Sequence, residues 1–320
     1  MAESPNPGLA GLASGSPPAF LPAPGALPGW RFPHDTVFVK TFAIDMEVGN
    51  PKSRRRLETR ILHHKHMPGT DEVGAQFWRG YTYVWNEEQT DAVLLKTDGL
   101  NRELSIKDPA AEGGFRKQVW RFPSRAECTL CHTMSAKYAL GVTTVQMNKE
   151  HDYGTVIANQ LTTLEHLGMF TKPLPKKPSA LPRIVDYRDR SQHLNLRGRS
   201  YLHANCSHCH RKWGGGNAEF QLLAGLPLDK TGIIGVRPGH GTFELPKPAI
   251  LSLGNSDGSL IHFRMQKLGL GRMPHIASTV VDSQAVELMK RWIRDLNKKT
   301  VQQTGLAQGH EHAQSVSTQP

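Results

Sequence analysis

The sequence predicts an α+β chain: an antiparallel β-rich N-terminal unit followed by a mainly α-helical region. Between about residues 30 and 120 apolar and polar side chains alternate with period 2, and turn signals separate the runs. Further on the apolar spacing turns helical. The last such segment, DSQAVELMKRWIRDL, carries a continuous apolar stripe at i, i+3, i+4 spacing.

At 320 residues the chain is long enough for one sizeable core or two to three small ones, and Gly 30 with Pro 22 predicts abundant loops. No run approaches the roughly 18 apolar residues of a membrane-spanning helix. The net charge of +11 suits an acidic partner or surface. It is not accompanied by an aromatic-interleaved basic motif, so nucleic acid is not an expected partner. No G-x-G-x-x-G follows a strand, and there is no P-loop and no H-E-x-x-H.

Taken in order, residues 1–29 are Pro/Gly/Ala-rich and read as a disordered segment. They lack the basic and apolar regions of a secretory signal peptide. Residues 30–120 form the β-rich domain, with strands expected over 36–48, 55–64, 77–86 and 91–97, separated by GNPKS, MPGTDEVG and NEEQ. The basic run KSRRRLETR, ending at Arg60, reads as a solvated edge strand with Glu58 among its charges. Residues 121–197 are a region of their own, in which Ile157, Leu161, Leu164, Leu167 and Met169 predict a helix over 155–170. Residues 198–299 follow. Here GRSYLHANCSHCH predicts a helix over 198–210 stopped by the glycines at 214–216, and Asp282 or Ser283 caps the C-terminal helix. Residues 300–320 read as a disordered tail, in which His310 and His312 offer a weak metal-binding pair.

Two short motifs hold all 4 cysteines: CTLCH (Cys128, Cys131, His132) and CSHCH (Cys206, Cys209, His210). A structural zinc site needs four ligands, with its two cysteine pairs usually about 12–20 residues apart. Here the pairs are much farther apart, and the adjacent histidines would be left without a role. A redox dithiol sits where a helix starts, whereas the second motif closes its helix. On a helix, residues i and i+3 share a face. Two such cysteines can form thioethers with both vinyl groups of one haem, and the next residue, His, then faces the iron. C-x-x-C-H therefore reads as covalent haem attachment. The expectation is two haem c, attached through Cys128, Cys131, Cys206 and Cys209, with His132 and His210 as axial iron ligands.

A low-spin electron carrier needs a sixth ligand, often Met, which raises the potential. Met273, before Pro274 and roughly sixty residues after His210, is the candidate for the second haem. For the first, Met147 is the leading candidate, with Met134, His151, His166 and Met169 as others; an empty position would leave that iron open. His203 and His208 read as helix-face residues. Trp213 would pack on the haem edge or in the core. Arg211 and Arg272 are candidates for the haem propionates, or else exposed charges.

The order of helix, C-x-x-C-H, Met-Pro and C-terminal helix resembles class I cytochrome c over about residues 198–297. More widely, PSRAECTLCH, TVQMNKEHDYG, NQLTTLEHLGMFTKPLP, YLHANCSHCH and DGSLIHFRMQKLGLGRMPHIASTVVD resemble bacterial di-haem c-type cytochromes of the planctomycete type. These occur alone or with quinoprotein sugar dehydrogenase-like domains. The similarity runs over about residues 32–296. It implies extracytoplasmic electron transfer between redox partner proteins, with a quinoprotein-type dehydrogenase as donor and no bond-breaking chemistry by the chain itself. Two departures stand out. The family's usual signal peptide or upstream domain is not seen, and the first 29 residues lack the strand-like lead-in expected before WRFPHDTVFVK; in addition, Pro274 is followed by His275 where the family has a second proline. Periplasmic or extracytoplasmic localisation is therefore expected together with a truncated or misassigned start, or a split fusion. The alternatives are a di-haem peroxidase-like enzyme with an open first haem, and a zinc/thiol structural protein without haem.

Overall fold

The computed structural model describes residues 29–65, 77–96, 98–216, 218–276 and 278–302. The expected N-terminal segment up to residue 28, and His310 with His312, lie outside the described residues. The chain is a mixed α+β protein.

The first sheet is antiparallel, in the order β1 (Val37–Asp45), β2 (Arg54–Lys65), β3 (Phe77–Trp85) and β4 (Ala92–Leu94). Its register pairs Phe38 with Leu62 and Lys40 with Arg60, and slips by one residue between Phe42 and Ala43. Alternate residues therefore share a face. The expected edge strand is corrected here: β2 lies between β1 and β3. Its Glu58 is fully buried. Arg60 makes a two-pronged ion pair with it, at 2.5 and 2.9 Å, and Trp120 Nε1 donates to it at 3.0 Å. A buried carboxylate is tolerable only with such partners, so Glu58 is satisfied internally while Lys52, Arg54 and Arg56 of the same run stay exposed. A hairpin of β5 (Leu100–Lys107) and β6 (Phe115–Phe122) closes one side, with Leu57, Leu104, Ile106 and Phe122 as the core beneath it.

After β6 the chain turns into short elements: α1 (Arg125–Thr129), α2 (Thr144–Met147), the small ribbon β7 (Glu150–Asp152) and β8 (Ile157–Asn159), and α3 (Gln160–His166). The helix expected over 155–170 is thus shortened to α3. Residues 157–159 pair with β7 instead, and the Asn159 side chain accepts from the Leu161 N–H to start the helix. Leu161 is fully buried against Trp30 and Leu181.

The C-terminal core is built by α4 (Leu194–Cys206), α5 (Leu260–Gln266), α6 (Ser283–Asp295) and α7 (Lys298–Gln302). Asp282 caps α6 by accepting from the Ala285 N–H. The α6 stripe buries Ala285, Leu288, Met289, Trp292 and Ile293. Helix α7 begins before residue 300 and continues to Gln302, so order runs into the first residues of the expected tail, and Val301 is buried. Helices α4 and α6 approach closely because position 198 is glycine: a Cβ there would lie 2.9 Å from the Trp292 ring. Trp292 also donates from Nε1 to Asn195 Oδ1 at 3.0 Å.

Trp292→Ala should therefore lower stability by about 3–5 kcal/mol, and Gly198→Val should destabilise by forcing α4 from α6. Urea denaturation of each variant checks this. A loss below about 1 kcal/mol for Trp292→Ala would mean that the α4–α6 contact is not a principal part of the core.

Candidate functional site

The first motif is held at the end of the sheet. Ser124 accepts from the Glu127 N–H, and the Glu127 carboxylate accepts from the Ser124 N–H at 2.8 Å. This reciprocal cap starts α1. Arg121, the penultimate residue of β6, adds two bonds to the same carboxylate at 3.1 and 3.0 Å. That carboxyl is held below its usual range, first by the Arg121 hydrogen bond. Cys128 lies on α1, and the His132 N–H returns to the Cys128 carbonyl at 3.0 Å, so the motif forms a helical turn. Strand β3 approaches it closely at Gly80, where a Cβ would lie 2.7 Å from Cys128 Sγ.

His132 Nδ1 donates to the Tyr138 carbonyl at 2.5 Å, which fixes the tautomer that has Nε2 as an acceptor. Burial lowers its pKa, which favours the neutral form that binds metals. Cys128, Cys131 and His132 line a cavity of about 460 Å³. The sheet supplies the opposite wall, through Phe38, Lys40, Phe42, Arg60 and Leu62.

The second motif begins on the last residue of α4, Cys206. The helix expected to 210 stops here. The Ser207 N–H bonds to the Leu202 carbonyl, five residues back, and its hydroxyl donates to the His203 carbonyl at 2.6 Å. Both bonds loosen the α ladder. The Cys209 and His210 N–H groups still return to the Cys206 carbonyl, so the three motif residues share one turn. His210 stacks on Phe220 with ring centroids 4.4 Å apart. Its Nδ1 is buried without a hydrogen-bond partner, and burial pushes its pKa down to about 4.

Cys206, His210 and Met273 line one cavity of about 810 Å³, together with Met265, Arg264 and His275. The Met273 loop is pinned to α5: the Met273 N–H bonds to the Arg264 carbonyl at 2.9 Å, and Arg264 Nε to the Gly271 carbonyl at 2.8 Å. The Cys206 thiol, a neutral imidazole with an orphaned nitrogen and a thioether on the same cavity are groups that a c-type haem would use, whereas Cys209, on the same turn, lies beside Cys131. The first motif fits one through its thiols and oriented imidazole.

The two motifs meet. Cys131, His208 and Cys209 place their ligand atoms within 4.8 Å of one another, all half-buried. The hydrogen bond between the two thiols pushes Cys131 up to about 12 and lowers Cys209 to about 7. Burial pushes Cys206 up to about 12 and also raises Cys128.

The remaining candidates are placed as follows. Met147 packs in the cluster around Trp30, Leu161 and Leu181. Met134, His151 and His166 are exposed, Met169 is half-buried, and none of these five lines the first cavity. His203 lies on α4, as expected of a helix-face residue; it is buried, and its Nδ1 accepts from the Ala224 N–H at 3.1 Å. Arg211 is buried and donates to the Ser207 and Ser135 carbonyls at 2.5 and 3.1 Å, so it is not an exposed charge. Arg272 Nε is buried without a partner. Trp213 is 71% exposed, with Lys212 over its ring. The motif-to-motif role of His208, the sheet wall of Lys40 and Arg60, and Met265 were not foreseen. The one signal in the sequence was that His208 lies inside its own motif. Comparison with protein-family models, curated proteins and solved structures finds no match.

Glu127 stabilises the fold where it is ionised. Its folded pKa is depressed, so its contribution is present above the ordinary value of 4.5 and is lost as pH falls through the folded pKa. Glu127→Gln should cost roughly 1 kcal/mol at neutral pH, and the difference from the parent chain should vanish in acid. Denaturation midpoints across pH check this; a difference independent of pH would rule out the ionic cap.

Proposed function

We propose that the chain is an electron-transfer protein with two covalently attached c-type haems. It would receive electrons from a dehydrogenase partner, of the quinoprotein type that the resemblance implies, and deliver them to a downstream acceptor. The observation that carries this reading is the shared cavity of Cys206, His210 and Met273, built by three segments far apart in the chain. An isolated thiol or zinc role for Cys206 and Cys209 gives no reason for Met273 to be there.

Bound haem c supplies a one-electron iron couple. The chain's own residues set the conditions. Cys128 with Cys131, and Cys206 with Cys209, would hold each group by thioethers. His132 and His210 offer neutral imidazoles, and the Tyr138 carbonyl fixes the tautomer of His132. Met273 brings a thioether that favours a higher potential. Phe220, Leu222, Ile250 and Leu260 keep water from one cavity, and Phe38, Phe42 and Leu62 from the other. The meeting of Cys131 and Cys209 supports electron passage between the two sites. The net charge of +11 suits steering of an acidic redox partner at low salt. No helix among the described residues is long and apolar enough to cross a membrane. An extracytoplasmic location follows from the haem reading, because attachment of haem c takes place there.

One observation favours a second reading for the first site. None of the five candidate sixth ligands lines its cavity, so with His208, which does line it, left unligated the iron position would be open and peroxidase-like.

Expression behind a periplasmic signal with haem-maturation machinery should yield two covalent haems per chain by pyridine haemochrome. Cys128→Ser with Cys131→Ser should reduce this to one, and Met273→Ala should shift the reduced spectrum of the haem that remains. A chain with no covalent haem would sink the proposal. Cyanide-induced spectral change with peroxide turnover would select the peroxidase-like reading.

A further inference from the structure

We propose that the haem-free chain holds a soft divalent metal ion at Cys131, His208 and Cys209, across the two motifs. This does not rest on haem attachment. The three ligand atoms already lie within 4.8 Å of one another, and they are the one such group among the described residues. A tetrahedral zinc ion bound at about 2.3 Å to sulfur and about 2.0–2.1 Å to nitrogen needs ligand atoms roughly 3.5–4 Å apart. Side-chain rotation covers that difference, because the backbone is already held in place. Buried Arg211 ties the segment after α4 to the segment after the first motif through the Ser207 and Ser135 carbonyls. His208 and Cys209 are neighbours on one turn, and Cys131 approaches from the other motif.

Two thiolates and an imidazole select zinc or cadmium over magnesium or calcium. As the ion binds, each thiol gives its proton to solvent, and a fourth position stays open for water. The ion would cross-link the motifs through the sulfurs that thioether formation would use. Metal occupancy and complete haem attachment therefore exclude one another.

The test uses the full chain produced without haem-maturation machinery and titrated with Cd²⁺, followed by thiolate-to-cadmium charge-transfer absorption. One ion per chain is expected. His208→Ala and His208→Gln should each weaken binding at least about tenfold, and Cys131→Ser or Cys209→Ser should remove most of the absorption. Cys128→Ser combined with Cys206→Ser should keep the site. Binding that ignores both His208 variants, or that is lost in the Cys128/Cys206 double variant, would overturn the proposal in favour of chelation within each C-x-x-C. Absence of stoichiometric binding would overturn it outright. The haemochrome assay on separately matured protein reports only on haem, so failure of one reading is distinguishable from failure of the other.

Discussion

A buried guanidinium holds the two cysteine motifs together. Arg211 donates to the Ser207 carbonyl from its own turn and to the Ser135 carbonyl from the first motif's segment. Removing a cation from water costs several kcal/mol unless hydrogen bonds replace its hydration. Those bonds come only when both segments are in place. The positions of Cys131, His208 and Cys209 depend on this. The Cys131–Cys209 hydrogen bond and the contact of Cys209 Sγ with the Leu130 carbonyl at 3.8 Å add to this bridge.

The β-rich unit is part of the site rather than an appendage. Its face carries Phe38, Lys40, Phe42, Arg60 and Leu62 onto the first cavity, and Gly80 lets β3 touch Cys128. Glu58 makes this face possible. It fixes Arg60 beside the cavity and is itself neutralised by Arg60 and bonded by Trp120. A further link runs from the C-terminal region, where Thr279 donates to the Val119 carbonyl on β6. The sheet and the helical region therefore enclose the first motif between them.

Burial acts in opposite directions on the groups that would hold a cofactor. It raises Cys128 and Cys206, which favours the protonated thiol, and lowers His132 and His210, which favours the neutral imidazole. Cys209 departs from this pattern because Cys131 donates a hydrogen bond to it. The thiol most disposed to ionise is thus the one at the meeting of the motifs. Both the thioether chemistry and the metal site proposed here converge on that atom.

Much of the local structure was legible in the sequence. The period-2 runs locate β1 to β4 to within a few residues, because a strand half-buried on one face writes its geometry into alternate positions. The amphipathic helix α6 and its Asp282 cap were legible for the same reason, and so was the single turn shared by the residues of each C-x-x-C-H, which depends on neighbours in the chain. What needed the tertiary structure was every contact between distant segments. The charges of β2 suggest an edge strand until Arg60 and Trp120 close around Glu58. Residues 157–159 fit a helical pattern until β7 offers a ladder, and α4 ends at Cys206 because Ser207 bonds out of the helical register. Local pattern records which face of an element is apolar. It does not record which element covers that face, so only the folded chain brought Met273 to His210, the sheet to His132, and Cys131 to Cys209.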